Sequence, residues 1–250
     1  MVQAAPAPAP VALDDLLGGI DERRAMVVMA HPDDCEFACG GAVALLCRAG
    51  WEVDIVVATS GSKGTRDTKL TSQQLAATRE EEQRAAARIL GAREPVFFGF
   101  GDGELPEDDE LRGLIVRQIR LRRPSLVITW DGYRQGFNHR DHRRVGRSVY
   151  DAIYPAAGDH LYYPRHGEEG LKPHRPRMML LAGTDQPDVQ LDIRPVLRRK
   201  LRAVFAHASQ IGARSEQQLL RMWRERARQQ GGGGRDPVVV ESYRRVDWPR

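Results

Sequence analysis

Four short apolar runs constrain this chain more than any other feature: residues 25–30 (AMVVMA), 54–59 (DIVVAT), 95–98 (PVFF) and 125–129 (SLVIT). Each is apolar at almost every position rather than every second one, the pattern of a strand buried on both faces. Between them lie stretches of helical character at 40–48, at 73–90 (ended by Gly91) and at 111–121. Strands that alternate with helices in this way build an α/β fold, a mostly parallel sheet with helices on both faces. A further strand is expected at 178–182 (MMLLA), with helices at 194–208 and 216–229 and a last ordered segment at 238–243. The 250 residues read most simply as one domain over 23–250 with a decorated C-terminal third.

The remaining segments set the context. Residues 1–10 (MVQAAPAPAP) end in alternating Ala and Pro, so residues 1–22 are expected as a poorly ordered arm without the charged and apolar regions of a signal peptide. Four glycines at 231–234 predict a mobile loop over 230–235. No stretch nears the ~20 apolar residues of an integral membrane segment, and three cysteines (Cys35, Cys39, Cys47) imply no disulfide framework, so a cytoplasmic location is expected. The net charge of +4 comes from 38 basic residues, all but four of them Arg, spread among 34 acids. No basic run with interleaved aromatics occurs, so no nucleic acid partner is expected. The sequence specifies neither a monomer nor an oligomer.

The chemistry is expected where the first strand ends. His31-Pro32-Asp33-Asp34 follows it directly, and in open α/β sheets ligands bind in the crevice beyond the carboxyl ends of the strands. Two adjacent carboxylates beside an imidazole repel one another unless a cation compensates. A divalent metal supplies that charge, and a catalytic zinc site takes three protein ligands and keeps one position open. A further ligand is expected from Asn138-His139-Arg140-Asp141-His142-Arg143, in the loop after the fourth strand and hence at the same sheet edge. Alone, the first motif is as readily a turn with a capping Asp, and the second a surface pair. Their combination favours a metal site.

The segment His31-Pro32-Asp33-Asp34, continued by Glu36 and Cys39-Gly40-Gly41, resembles the signature of the zinc-dependent N-acetylglucosaminyl-phosphatidylinositol de-N-acetylase (PIG-L, LmbE-like) family. The likeness continues through Thr59-Ser60-Gly61, Arg79-Glu80-Glu81-Glu82, residues 99–103 (GFGDG), the His139–Arg143 motif, Leu191-Asp192-Ile193, Lys200 and residues 206–210 (AHASQ). The resemblance implies a Rossmann-like sheet without a dinucleotide site. It implies a deacetylase of N-acetylglucosamine-type sugars in which His31, Asp34 and His142 bind Zn2+, or another divalent ion such as Fe2+. It further implies Asp33 as the base, a protonated His139 on the oxyanion, Asp141 as the partner that keeps that imidazole charged, and Arg79 and Asp102 as contacts to the small amino-sugar substrate. One departure bears on the substrate: some sugar-specific relatives carry a tyrosine near His139, whereas Phe137 here has no hydroxyl.

Other residues allow two readings each. Arg79 pairs with Glu82 on its helix or reaches the sugar. His207 is a structural hydrogen-bonding residue or a ligand. Cys35 and Cys39 read as packing, since a thiolate would close the open metal position. Tyr162, Tyr163, His160 and His166 line the substrate groove or a surface loop. Two other functions stay open: the same site acting on a different amide, such as a thiol conjugate or glycosylated natural product, and a sugar-binding relative without turnover.

Overall fold

The structure is a computed structural model that describes residues 8–136, 138–229 and 238–248. In chain order it consists of β1 (Pro10–Val11), α1 (Leu13–Leu16), β2 (Arg24–Met29), α2 (Asp34–Arg48), β3 (Glu52–Thr59), α3 (Ser72–Leu90), β4 (Val96–Phe100), α4 (Asp109–Arg122) and β5 (Leu126–Trp130). There follow α5 (Arg140–Asp151), a π-helical segment (Ala152–Ala157), α6 (Arg165–Glu168), β6 (Met178–Ala182), β7 (Val189–Asp192), a 3-10 turn (Arg194–Val196), α7 (Leu197–Phe205), α8 (Ala208–Ile211), α9 (Glu216–Gln229) and β8 (Val240–Asp247). The eight strands form one sheet in the order β1-β7-β8-β6-β5-β2-β3-β4. All pairings are parallel except those of β8, which runs antiparallel between β6 and β7.

The double burial expected from the apolar runs holds for β2, β3 and β5 and explains the layers, whereas β4, the outermost strand on its side of the sheet, is only partly buried. Successive side chains of a strand point to opposite faces, so in β2 Ala25, Val27 and Met29 enter one core while Met26 and Val28 enter the other. The first core lies under α2, α3 and α7; the second lies under α4 and α5. From β2 the chain proceeds to β3 and β4 on one side and then to β5 and β6 on the other. The strand order therefore reverses at β2, and the crevice beyond the carboxyl ends of β2 and β5 is the switch point at which open α/β sheets bind ligands. Both sequence motifs lie there.

Several expectations change. Residues 10–17 belong to the fold rather than to an arm: β1 pairs with β7 at the sheet edge, and Leu16 and Leu17 are buried in the first core. The alternating Ala and Pro stretch does not extend to this Leu-Asp-Asp-Leu-Leu run, whose apolar spacing suits a helical turn. Residues 1–7 and the expected glycine loop at 230–235 lie outside the described residues. Helix α2 starts at Asp34, six residues before the expected Gly40, so the first motif forms the helix entry itself. The expected helix at 194–208 is divided into the 3-10 turn, α7 and α8. Residues 152–176 pack along α4: His174 bonds the Pro124 carbonyl just before β5, Arg120 donates to the carbonyls of Ala156, Ala157, Asp159, Tyr162 and Tyr163, and the Tyr163 hydroxyl donates to the Asp109 carbonyl. The contacts of Tyr162, Tyr163, His160 and His166 are with α4 and their own loop, as in a surface loop, and not with His31, His139 or His142. Among the described residues no helix is long and apolar enough to cross a membrane.

Helix α5 packs so closely on the end of β5 that Gly146 has no room for a side chain. A Cβ there would stand 2.3 Å from the Trp130 carbonyl oxygen and 2.6 Å from the Gly132 nitrogen, both backbone atoms. Gly146→Ala is expected to destabilise the protein by about 1–3 kcal/mol through overpacking, read as a melting temperature lower by several degrees.

Candidate metal centre

His31 follows β2 by two residues and is buried. Three carboxylates surround its ring: Asp34 Oδ2 at 3.4 Å from Nδ1, and Asp102 Oδ1 and Asp141 Oδ2 at 3.2 and 3.3 Å from Nε2. Burial opposes a charge on His31, but the hydrogen bonds with Asp102, Asp141 and Asp34 outweigh it and raise the pKa to about 12. The same contact with His31 holds Asp102 down to about 2. Such a concentration of carboxylates demands a cation, and a divalent metal answers that demand as a proton does.

The imidazoles converge on the same place. The ring of His31 lies 4.8 Å from that of His139 and 5.3 Å from that of His142, and His139 and His142 are 5.1 Å apart. Ligand nitrogens of all three lie within 4.8 Å of one another. Asp34 joins two of them, with Oδ1 at 3.2 Å from His142 Nε2 and Oδ2 beside His31. Asp34 Oδ2 also accepts from the His31 backbone N–H at 2.9 Å and from Trp130 Nε1 at 3.0 Å. Burial works against ionisation of Asp34, yet His142 and His31 hold its carboxyl well below the usual range. Trp130 stacks on His142 with centroids 4.2 Å apart. This donor set, imidazoles and carboxylates in a buried setting, fits zinc and related divalent ions.

Asp33 caps α2 from a left-handed conformation (φ 95°), which a non-glycine residue adopts at a cost of about 1–2 kcal/mol. Its surroundings hold it there. Its N–H donates to Gln83 Oε1 at 3.0 Å; Gln83 Nε2 donates to Glu36 Oε1 at 2.9 Å, and Glu36 Oε2 lies 3.1 Å from His207 Nε2. Gln83, Glu36 and His207 are all fully buried. Arg79 Nη2 stands 3.3 Å from Asp33 Oδ1 and also donates to the Pro32 carbonyl, while Nη1 donates to the Gly61 carbonyl at 2.8 Å. Gly61 (φ +62°) makes room for this guanidinium, since a Cβ there would lie 2.4 Å from Nη1. Burial and the charge of Asp34, against the pull of Arg79, raise the Asp33 pKa to about 7.

Three expectations are revised by these contacts. Arg79 is buried and engaged with Asp33, Pro32 and Gly61, so it braces the Asp33 turn rather than standing free for a sugar; Glu82 bonds Ser209 instead of Arg79. The Asp102 carboxylate is likewise taken, by His31 and by the Lys63 N–H at 2.9 Å. Asp141 does not pair with the His139 ring through its carboxylate, which faces His31 and the Gly103 N–H at 2.7 Å. Only the Asp141 backbone N–H reaches His139, donating to Nδ1 at 3.2 Å as in an N-cap. An accepting Nδ1 belongs to a neutral imidazole that carries its proton on Nε2. Burial and then the neighbouring His31 and His142 lower the His139 pKa accordingly.

The cysteines remain outside this chemistry. All three are free; Cys35 and Cys39 lie one turn apart in α2 and are buried. Phe137 lies outside the described residues. Gln83 and Trp130 were not singled out from the sequence, although Gln83 lies four residues after Arg79 and so shares its helix face. No comparable signal marks Trp130.

The family model for GlcNAc-PI de-N-acetylase (PIG-L) matches residues 26–153, which contain both motifs. The chain is 35% identical over 190 residues to the diacetylchitobiose deacetylase of Thermococcus kodakarensis, covering 76% of this chain and 71% of that protein. In structure it is similar to N,N'-diacetylchitobiose deacetylase from Pyrococcus horikoshii, with a TM-score of 0.83 and 28% identity over 91% of this chain and 85% of the other. It is also similar to the 4-carboxy-2-hydroxymuconate hydratase of Pseudomonas putida, with a TM-score of 0.74 and 26% identity over 91% of this chain and 97% of the other. Fold, motifs and overall similarity agree, and the chain belongs to the GlcNAc-PI de-N-acetylase (PIG-L) family.

Proposed function

We propose that this protein is a metal-dependent deacetylase that hydrolyses the acetamide of an N-acetylglucosamine-type sugar to a free amine and acetate. The observation that carries this reading is the Asp33 carboxylate, fixed by Arg79 and by the Gln83 bond to its backbone beside the converging His31, Asp34 and His142. His31, Asp34 and His142 would hold zinc, or another divalent ion such as Fe2+, which when bound lowers the pKa of water and polarises an acyl oxygen. The similarity to a diacetylchitobiose deacetylase supports the substrate class. The fold is also that of a hydratase, so the reaction is assigned here from the site's own residues.

In this reading the chain's own residues divide the proton chemistry. Asp33 accepts a proton from the attacking water, a task suited to a carboxyl whose pKa lies near 7. The water oxygen bonds to the acetyl carbon, the C–N bond breaks, and Asp33 returns the proton to the departing nitrogen. His139, exposed at the mouth of the site, donates from Nε2 to the developing oxyanion while its Nδ1 is occupied by the Asp141 N–H. Asp102 and Asp141 orient His31 from its Nε2 side, and Arg79 and Gln83 orient Asp33.

Three outcomes are expected. Asp33→Asn lowers kcat by about 10²–10⁴-fold while the protein keeps its metal, read by amine release and elemental analysis; an active variant would remove Asp33 as the base. His142→Ala loses metal whereas His139→Ala retains it and loses turnover, so metal loss in the second variant would make His139 a ligand. Gln83→Leu leaves the Asp33 N–H without its partner and lowers kcat about tenfold or more with little change in KM; a change confined to KM would count against its positioning role.

A further inference from the structure

The segment His207-Ala208-Ser209-Gln210, which passes from α7 into α8, takes no part in the proton chemistry above, yet it meets the surroundings of Asp33 at three points. His207 is fully buried and places Nε2 3.1 Å from Glu36 Oε2. Ser209 gives its N–H and its hydroxyl to the Glu82 carboxylate on α3, at 2.7 and 2.6 Å. Gln210 Nε2 donates to the Gly64 carbonyl at 3.2 Å.

Two supports run from these points to Asp33. The first reaches its backbone. Glu36 Oε1 accepts from Gln83 Nε2, which turns the other end of that amide, Oε1, to the Asp33 N–H. His207 on Glu36 Oε2 keeps the Glu36 carboxyl from rotating away. The second support reaches the Asp33 carboxylate. Gln210 holds the turn at Gly61–Gly64, which is closed by the Gly64 N–H on the Gly61 carbonyl at 3.3 Å. This turn packs on the Arg79 guanidinium so closely that a Cβ on Gly64 would stand 2.5 Å from Nη1. The Gly61 carbonyl accepts from Nη1, and Nη2 faces Asp33 Oδ1. Ser209 joins the two supports, since Glu82 adjoins Gln83 and lies three residues after Arg79. Among the described residues two buried side-chain polar atoms have no hydrogen-bond partner, Arg79 Nε and His207 Nδ1, and one lies on each support. An unpaired buried polar atom is destabilising, so both residues are retained for what their other nitrogens hold.

We infer that residues 207–210 clamp the base from two sides, with His207 and Gln210 as positioning residues. His207 acts through Glu36 and Gln83 on the Asp33 backbone, and Gln210 acts through the Gly61–Gly64 turn and Arg79 on the Asp33 carboxylate. The inference rests on Asp33 as the base in the reading above. Asp33 occupies left-handed backbone against its own preference, so it relaxes when a support is removed. A base displaced from the attacking water lowers turnover more than binding.

The test is a double-variant cycle on zinc-loaded protein, read by amine release. His207→Leu is expected to lower kcat about tenfold or more with little change in KM. His207→Gln, whose amide still donates to Glu36, recovers most of that loss. Because this support passes through Gln83, adding His207→Leu to Gln83→Leu lowers kcat by no more than about a further twofold. Losses that multiply overturn the His207 support, as does a change confined to KM. Gln210→Leu, at a half-buried position, is expected to lower kcat about threefold or more, and an unchanged kcat overturns the second support. If melting curves show that His207→Leu does not fold, the pair Glu36→Leu with His207→Leu takes its place, since it leaves no buried carboxyl without its partner. If the parent protein releases amine from neither N-acetylglucosamine nor N,N'-diacetylchitobiose, the deacetylase reading fails by itself. The clamp is then judged by hydrogen exchange at the Asp33 amide. Faster exchange in His207→Leu, confined to Asp33 and its neighbours, retains it, and unchanged exchange removes it.

Discussion

The buried carboxylate of Asp34 is the interaction on which the architecture of the site depends. It accepts from the His31 N–H and from Trp130, and it touches the rings of His31 and His142. These partners come from the end of β2, the end of β5 and the first turn of α5, so one side chain joins three elements across the switch point of the sheet. An unpaired charge there would be costly, whereas one surrounded by donors and a cation is held in a single orientation. The close contact of α5 with β5 at Gly146 maintains the distance over which this arrangement works.

The residue beside it is held against its own preference. Asp33 sits in left-handed backbone, and a network with fully buried members passes from its N–H through Gln83 and Glu36 to His207. Because these side chains come from α3, α2 and the segment before α8, the conformation of Asp33 is determined by how three helical elements pack. Arg79 adds charge compensation from the same face of α3. Strain supported in this way is a common property of functional positions.

The similarity to both deacetylases and a hydratase shows that the sheet and its edge form a platform shared by different chemistries. In this chain the wall on the β6–β8 side is built from Trp130, Phe37, Trp223 and Gln190 above the Lys200–Glu241 pair. Each reaches that edge from a different part of the fold.

Much of this was legible in the amino-acid sequence because it depends on local order. Apolar runs pointed to strands covered on both faces, as β2, β3 and β5 are and the outer strand β4 is not, and the position of one motif directly after β2 and of the other in the segment that follows β5 placed both at one edge of the sheet. The convergence of His31, Asp34, His139 and His142 follows from those two facts. The short strands β1 and β7 were not legible, since two to four residues carry little periodicity and form only against a neighbour. Nor were the partners of Arg79, Asp102 and Asp141 legible. A sequence states which charged groups exist, but which of them meet is decided by contacts between residues 18 to 110 positions apart. The sequence by itself determined the layers, the sheet edge and the kinds of ligand gathered there; only the tertiary structure decided which carboxylate faces which imidazole, because electrostatic and hydrogen-bond partners are selected by distances of a few ångströms that local pattern does not encode.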